Sequence, residues 1–235
     1  MKNVIHRANS RGSTNFGWLN SKHTFSFGQY FDPERMNFGM LRVLNDDIVK
    51  GGAGFPPHPH SNMEIVSIPL SGALTHNDST GMEKVINSGE VQIMSAGSGI
   101  THSEYNASKT DDVNFLQIWV IPKEDNIKPK YDQKFFRRAE RKNTIQPVVS
   151  PGKDGGLWIN QDAWFSLADL EAQKSIHYTI NKEDNGVYVF VIDGEIIIEG
   201  ETLSKRDAIG IQDITEIEVI ARDNSKVLLI EVPMN

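Results

Sequence analysis

The sequence predicts an all-β protein made of two similar antiparallel units in tandem. Short segments rich in β-branched and aromatic residues recur along the chain, separated by turn residues such as Ser71-Gly72, Ser88-Gly89 and Asp193-Gly194. The 19 glycines and 10 prolines among 235 residues fit many tight turns better than long helices. Many short strands at this spacing are typical of an antiparallel sandwich or barrel.

The first half begins with mostly irregular chain anchored by aromatic residues, in which one short strand is predicted at residues 24–27. A strand follows at residues 41–45, and Asp46-Asp47 is interpreted as the turn that follows it. Further strands of this half are predicted at residues 64–70, 73–77, 84–87, 91–95, 100–105 and 113–121.

A polar segment rich in Lys, Arg, Asn and Pro, residues 122–155, connects the two halves. We place the boundary near residue 140, with an N-terminal unit at residues 1–140 and a C-terminal unit at residues 141–235. Strands of the C-terminal unit are predicted at residues 157–160, 163–167, 175–180, 187–192, 195–198, 208–212, 216–221 and 226–232.

The second half resembles a diverged copy of the first. The segment that starts at Ile65 aligns with the one that starts at Val187, which places Gly72 opposite Gly194. Fourteen residues before Gly72 stands His58, whereas Ile180 occupies the same place before Gly194. No histidine follows His177, so we expect any metal chemistry in the N-terminal half.

Two pairs of metal-binding residues stand out, His58 with His60 and His102 with Glu104. Side chains two residues apart on a strand point to the same face, so each pair can aim at one point if the two segments lie side by side. Three imidazoles and a carboxylate suit Fe, Mn, Co, Ni, Cu or Zn better than Ca or Mg. The other four histidines are interpreted as surface or hydrogen-bonded core residues: His6, His23, His76 and His177.

Composition excludes several classes of function. The chain has no cysteine, which rules out disulfides and thiolate ligands. Its formal charge of −7 makes nucleic-acid binding unexpected, since the one basic stretch, residues 134–142, is interrupted by Glu140. The N-terminus lacks the apolar core of a signal peptide, and the longest apolar run, residues 187–192, is too short to span a bilayer. We therefore predict a cytoplasmic protein that does not bind membranes.

The two histidine segments resemble the two cupin motifs. The matching residues are Gly52, His58, His60 and Glu64 in the first motif, and Gly89, Gly97, His102 and Asn106 in the second. The pattern departs from the general cupin one at Ser95, where proline is common, and in a spacer from Glu64 to Gly72 that is one residue longer.

A closer resemblance is to the pirin family. It is carried by His58-Pro-His60, by Glu64 and by the segment from Gln92 to Glu104. Four further segments resemble the bacterial branch with quercetin 2,3-dioxygenase activity: Arg7-Ala-Asn, Gly17-Trp-Leu, His23-Thr-Phe-Ser-Phe and Asp32-Pro33.

This resemblance implies a bicupin, two antiparallel jelly-roll β-barrels in tandem, of which the C-terminal one is degenerate and lacks metal ligands. It also implies one divalent metal, most often iron as Fe(II), bound by residues matching His58, His60, His102 and Glu104. In most cupins the residue at Glu64 is the carboxylate ligand, whereas pirins use the one at Glu104. Glu64 then becomes either a residue that orients a ligand histidine or a buried structural acid.

The function implied is a metal-dependent dioxygenase that opens the ring of flavonols with O2. In that reaction Glu104 or Glu64 would accept the proton of the substrate's 3-hydroxyl, although a carboxylate bound to the metal is a poor base. The alternatives are a non-catalytic, metal-binding pirin that acts as a regulatory, transcription-cofactor-like partner, and another cupin reaction on the same metal. Both a monomer and a homodimer remain open. Five residues could line an apolar mouth or belong to the core: Phe25, Phe27, Phe38, Met40 and Trp119.

Overall fold

Strands make up nearly all the regular structure of the computed structural model, which describes residues 2–152 and 155–235. Two 3₁₀ helices, Ala8–Ser10 and Arg138–Arg141, interrupt them. The strands of the first half are β1 (Lys2–His6), β2 (Gly12–Asn15), β3 (Leu19–His23), β4 (Leu41–Val49), β5 (Gly54–His60), β6 (Glu64–Ser71), β7 (Ala73–Asp78), β8 (Glu83–Asn87), β9 (Glu90–Ser95), β10 (Ile100–Asn106), β11 (Val113–Val120) and β12 (Lys130–Phe135).

The strands of the second half are β13 (Gln146–Ser150), β14 (Leu157–Trp158), β15 (Trp164–Leu170), β16 (Ser175–Thr179), β17 (Asn185–Asp193), β18 (Glu195–Ile198), β19 (Glu201–Ser204), β20 (Ala208–Gln212), β21 (Glu216–Ala221) and β22 (Ser225–Pro233). The predicted all-β class is therefore confirmed. No helix in the described ranges has the length and hydropathy needed to cross a membrane.

Each half pairs a seven-stranded sheet with a four-stranded one. In the first half the orders are β12-β9-β6-β11-β4-β3-β2 and β5-β10-β7-β8. In the second half they are β1-β20-β17-β22-β15-β13-β14 and β16-β21-β18-β19. These are open, facing sheets in the manner of a jelly roll and not closed barrels, and the tandem arrangement agrees with the predicted bicupin.

The predicted internal repeat is visible in the topology. The strands β9-β6-β11-β4 of the first half take the same order as β20-β17-β22-β15 of the second. At the turn after β6, Gly72 has a φ of 74°, and at the turn after β17, Gly194 has a φ of 84°. Both backbones are in the left-handed region that glycine tolerates best, which explains why the same residue type stands at both turns.

The strands next to the predicted boundary lie on either side of residue 140. β12 pairs with β9 of the first half, whereas β13 pairs with β15 of the second. β1 crosses over instead, because all five of its residues pair with β20 in the C-terminal sheet. The division at residue 140 itself stays a prediction.

The largest hydrophobic cluster joins the two halves. It contains buried residues from both seven-stranded sheets, among them Val66 and Ile68 of β6 and Phe190 of β17. Because strand side chains alternate, Ile65 and Ser67 of β6 point the other way, into the first half. A second cluster fills the C-terminal half with apolar side chains that include Tyr178, Ile217 and Val219, and Ile180 packs against it.

Two predictions for the N-terminal segment are wrong. The strand expected at residues 24–27 is instead Leu19–His23, and β1 and β2 were not predicted. Asp46-Asp47 does not form a turn, because both residues lie within β4. Two adjacent aspartates are typical of a turn, but here each one has a polar partner on its own face of the sheet, which allows both to lie within a strand. Arg206 lies 2.8 Å from Asp46, and Ser21 donates a hydrogen bond to Asp47.

Candidate metal centre

The three predicted histidine ligands come together on two neighbouring strands. β5 and β10 are antiparallel, and in their register His102 lies opposite His58. The ring centroids of His58, His60 and His102 are 4.6 to 5.0 Å apart, and one potential ligand atom from each lies within 4.8 Å of the others. The predicted juxtaposition of the two segments is therefore present.

The local sequence explains why His58 and His60 sit on β5. This strand is at the edge of its sheet, and among the described strands it pairs only with β10. Proline lacks a backbone N–H and is tolerated on edge strands, which allows Pro57 and Pro59 to alternate with the two histidines. The Nδ1 of His58 donates to the carbonyl of Pro56 at 2.7 Å, so its Nε2 is left for a ligand.

Glu104, the predicted carboxylate ligand, lies two residues after His102 on β10. The register of β10 against β5 shifts between His102 and Glu104. The Glu104 carboxylate groups with His102 and His76, with ligand atoms again within 4.8 Å of one another. Two overlapping clusters therefore share His102: one contains the other two predicted histidines, and the other contains the predicted carboxylate.

Amide groups hold the Glu104 carboxylate from the opposite sheet. Gln92 Nε2 lies 2.9 Å from its Oε1, and Gln117 Nε2 lies 2.6 Å from its Oε2. Ser67 Oγ is a further 3.0 Å from Oε1. A carboxylate offers about four lone-pair positions, so most of its accepting capacity is already used by this chain.

His76 is the residue of this centre that the sequence interpretation missed. Its side chain is fully buried, its Nε2 lies 2.8 Å from Oδ2 of Asp78, and its ring stacks on Tyr131. Its Nδ1 has no hydrogen-bond partner among the described residues. The Asp78 contact agrees with a hydrogen-bonded core residue, but the position beside His102 and Glu104 was not foreseen. The spacing His76-x-Asp78, the same as in the two recognised pairs, was the available signal.

Burial keeps the imidazoles in the form that binds metals. Desolvation, followed by the nearby His102 and His58, lowers the pKa of His60 to about 4. Desolvation, followed by His58 and His76, lowers the pKa of His102 to about 3. Neutral imidazole is the ligand form, and Nδ1 of His102 is a buried atom with no partner among the described residues. This donor set fits a divalent transition metal.

We expect the rings of His60 and His102 to remain neutral in the metal-free protein down to about pH 5, because both pKa values are lowered below that pH by burial. Long-range ¹H–¹⁵N NMR of the imidazole nitrogens between pH 8 and pH 5 measures this. Free imidazole added to the same sample provides the reference. Protonation of either ring above pH 6 would contradict the electrostatic account of the cluster.

A cavity of about 400 Å³ opens beside the histidines. His58, His60 and Glu104 contribute to its wall. Its apolar lining includes Phe16, Leu19, Phe27, Phe55 and Trp119, and its polar lining includes Ser21, His23, Asn45 and Asp47. The volume falls within the range of small-molecule sites, and the mixture of an apolar wall with a few polar groups is typical of them.

Glu64 lies away from this cavity. It is fully buried, and its Oε2 accepts hydrogen bonds from Ser95 Oγ at 2.7 Å and from the backbone N–H of Asn160 at 3.1 Å. Glu64 and Ser67 are three residues apart on β6, so their side chains point to opposite faces. This placement corresponds to the buried structural acid among the two interpretations, and it speaks against Glu64 as a proton acceptor.

Comparisons with known proteins agree with this fold. The family model described as Pirin matches residues 5–120, and the one described as Quercetinase C-terminal cupin domain matches residues 147–232. A protein of Escherichia coli K12 named quercetin 2,3-dioxygenase is 42% identical over 231 residues, covering 97% of this chain and 98% of that one. A pirin-like protein of Caulobacter vibrioides is 38% identical, covering 94% and 95%.

Among solved structures, the bacterial pirin YhhW of Escherichia coli in complex with nickel(II) is similar with a TM-score of 0.93 and 40% identity, and 99% of each chain is covered. A nickel-bound relative and the histidine cluster together imply a divalent metal for this fold. The match extends over both halves of the chain and includes every strand that forms the metal centre. This chain belongs to the pirin family.

Proposed function

We propose that this protein is a metal-dependent dioxygenase that opens the heterocycle of flavonols with O2. The observation that carries the proposal is a cluster of three histidines, two of which, His58 and His60, lie in the wall of a largely apolar cavity of about 400 Å³. The name of the Escherichia coli relative, at 42% identity, supports the same activity. The proposed ligands are His58, His60, His102 and Glu104, and the proposed metal is Fe(II), with Mn, Co, Ni, Cu or Zn as alternatives.

The chain's own residues prepare the site in three ways. Backbone and side-chain hydrogen bonds fix the ligands, as the Pro56 carbonyl does for His58 and the amides of Gln92 and Gln117 do for Glu104. Phe27 and Trp119 shield the histidines from water, with the rings of His60 and Trp119 5.0 Å apart. A divalent metal held there would supply Lewis-acid and redox chemistry for the reaction with dioxygen.

The most direct test is a quercetin assay with the iron-loaded protein in air. We expect loss of the flavonol absorbance with the wild type, and at least about 100-fold slower loss with His58→Ala, because a ligand matters more than the outer-shell contacts whose loss costs 10–100-fold. His177→Ala is the matched control, since its side chain is 66% exposed on the C-terminal half, and it should keep full activity.

The same assay separates the alternatives. If the protein binds metal but leaves quercetin unchanged with Fe, Mn, Co, Ni and Cu, the proposed dioxygenase activity is overturned. That result would favour a regulatory, non-catalytic role or another cupin reaction. A cytoplasmic location, the absence of nucleic-acid partners and the choice between monomer and homodimer stay predictions.

A further inference from the structure

A carboxyl group that the sequence interpretation assigned to a turn lies in the wall of the cavity. Asp47 is in the middle of β4, where its neighbours across the sheet are Ser21 of β3 and Phe115 of β11. Its exposed fraction is only 4%, and it lines the same cavity as His58 and His60. Strand alternation directs Asn45 and Asp47 into this cavity, whereas Asp46 points to the other half and pairs with Arg206.

One oxygen of Asp47 is held and the other is available. The Ser21 hydroxyl donates a hydrogen bond to Oδ1. The one side-chain hydrogen bond that the described part of the chain makes to this carboxyl ends on Oδ1, so none reaches Oδ2. Oδ2 is not among the fully buried side-chain atoms of the described residues that lack a partner, so it is accessible from the cavity. An accessible carboxyl oxygen without a partner in a ligand-sized cavity has the geometry of a group that meets a ligand.

The surroundings of Asp47 suit a group that exchanges protons near neutral pH. Burial raises its pKa to about 7, the Ser21 hydrogen bond opposes that rise, and the neighbouring Asp46 and Glu104 carboxylates add to it. On β3, His23 faces the same wall, with Nδ1 3.0 Å from Asn45 and Nε2 2.9 Å from Thr14, and burial lowers its pKa. General bases work best when their pKa lies near the working pH.

Glu104 and Glu64, the two candidate proton acceptors predicted from the sequence, are less well placed than Asp47 to accept a proton from a ligand in the cavity. The amides of Gln92 and Gln117 already occupy both oxygens of Glu104. The Glu64 carboxylate points to the opposite face of β6, away from the cavity, and its Oε2 is bound by Ser95 and Asn160. Asp47 combines a position in the cavity wall with an oxygen that no described residue engages.

We propose that Asp47 is the proton acceptor for the hydroxyl of the flavonol bound in this cavity, with Ser21 as the residue that positions its carboxylate. This inference rests on the proposed dioxygenase function. In the step, the substrate O–H bond breaks, the proton passes to Oδ2 of Asp47, and the electron pair stays on the substrate oxygen. After ring opening the proton returns from Asp47 to an oxygen of the product, which regenerates the carboxylate without net proton uptake.

The test compares the wild type with Asp47→Asn, Asp47→Glu and Ser21→Ala, each loaded with iron and checked for metal content. Asparagine has the shape of aspartate and still accepts the Ser21 hydrogen bond, so the fold is retained. We expect kcat/KM for quercetin to fall at least about 100-fold in Asp47→Asn, the lower end of the usual contribution of a general base. Asp47→Glu should recover part of the lost kcat/KM. Ser21→Ala should lower kcat/KM less than Asp47→Asn does. Asp112→Asn, an exposed carboxyl paired with Lys50, is the control without effect.

Two readouts separate proton transfer from a merely structural role. Mixed with quercetin without oxygen, the wild type should bind the ionised flavonol, with its absorbance at longer wavelength, whereas Asp47→Asn should bind the neutral form at the same pH. In steady state, kcat/KM of the wild type should rise with pH as Asp47 loses its proton, and this rise should be absent in Asp47→Asn. Ionisation of the free substrate would affect both proteins alike.

The outcomes are distinguishable. An active wild type together with an Asp47→Asn variant of equal kcat/KM, equal rise with pH and equal bound spectrum would overturn the role of Asp47 and leave the dioxygenase proposal standing. A wild type that holds metal but does not turn over any flavonol would overturn the proposed function, and the inference on Asp47 with it.

Discussion

Replacing His102 with alanine is expected to abolish metal binding under conditions in which the wild type holds one ion per chain. His102 belongs to both clusters of potential ligand atoms, with His58 and His60 on one side and with His76 and Glu104 on the other. Its loss therefore leaves neither cluster complete. We expect the affinity to fall by more than the 10–100-fold typical for loss of an outer-shell contact. Metal content after gel filtration and a chelator competition titration measure this.

Two further variants show which cluster holds the ion. His58→Ala removes a potential ligand only from the partly exposed cluster of His58, His60 and His102. His76→Ala removes one only from the buried cluster of His76, His102 and Glu104. With the ligands proposed above, His58→Ala should lose the metal and His76→Ala should keep most of its affinity. Thermal unfolding of the metal-free variants checks that each is folded. Retention of the full affinity by His102→Ala would place the ion elsewhere in the molecule.

The second large effect concerns stability. Glu231 is fully buried in β22, where its carboxylate accepts hydrogen bonds from the backbone N–H groups of Asn181 and Lys182 and from the Asn185 amide at 2.9 to 3.1 Å. Glu231→Ala removes the acceptor that these buried donors share. We expect the free energy of unfolding to fall by about 3–5 kcal/mol, since a hydrogen bond to a charged group contributes about 1.5–3 kcal/mol and more than one is lost.

Chemical denaturation of the metal-free protein measures this loss. Glu218→Ala is the control, because its side chain is 44% exposed on β21 and its contact with His177 is at the surface, where even a charged pair contributes only about 0–1 kcal/mol. The Glu231→Ala variant should still bind metal below its unfolding transition, since the centre is built from β5, β7 and β10. A loss below about 1 kcal/mol would show that the donors find water or other acceptors.

The repeat and the fold class were predictable because turns and strand periodicity are local. Gly72 and Gly194 mark equivalent turns with positive φ, and glycine at such turns is required by backbone sterics. The pairing of β1 with β20 was not predictable, because it joins residues about 200 positions apart in sequence and leaves no local pattern.

The histidine cluster was predictable for a related reason. Two residues separated by one position on a strand share a face, so the pairs His58 with His60 and His102 with Glu104 needed only one assumption, that the strands are neighbours. Where Glu104 would sit relative to the histidines depends on the bulge between His102 and Glu104, which the sequence does not reveal.

Asp47 was missed because polar residues inside a protein resemble those of a turn. Asp46 and Asp47 face opposite sides of β4, one toward the interface between the halves and the other toward the cavity, and both sides provide polar partners. The aromatic residues were ambiguous in the same way. Phe27 and Trp119 line the cavity, whereas Phe25 and Phe38 belong to the core between the halves. Side-chain type alone does not distinguish a ligand site from a core.

Anomalous diffraction from crystals of the cobalt- or iron-loaded protein, collected above and below the absorption edge of the metal, tests the central claim most directly. We predict one anomalous peak per chain, in contact with the imidazoles of His58, His60 and His102 and with the Glu104 carboxylate, and none in the C-terminal half, where apolar residues such as Ile217 and Val219 fill the interior. A peak bound by His76 without His58 and His60, or a loaded protein without a peak in the N-terminal half, would contradict the account.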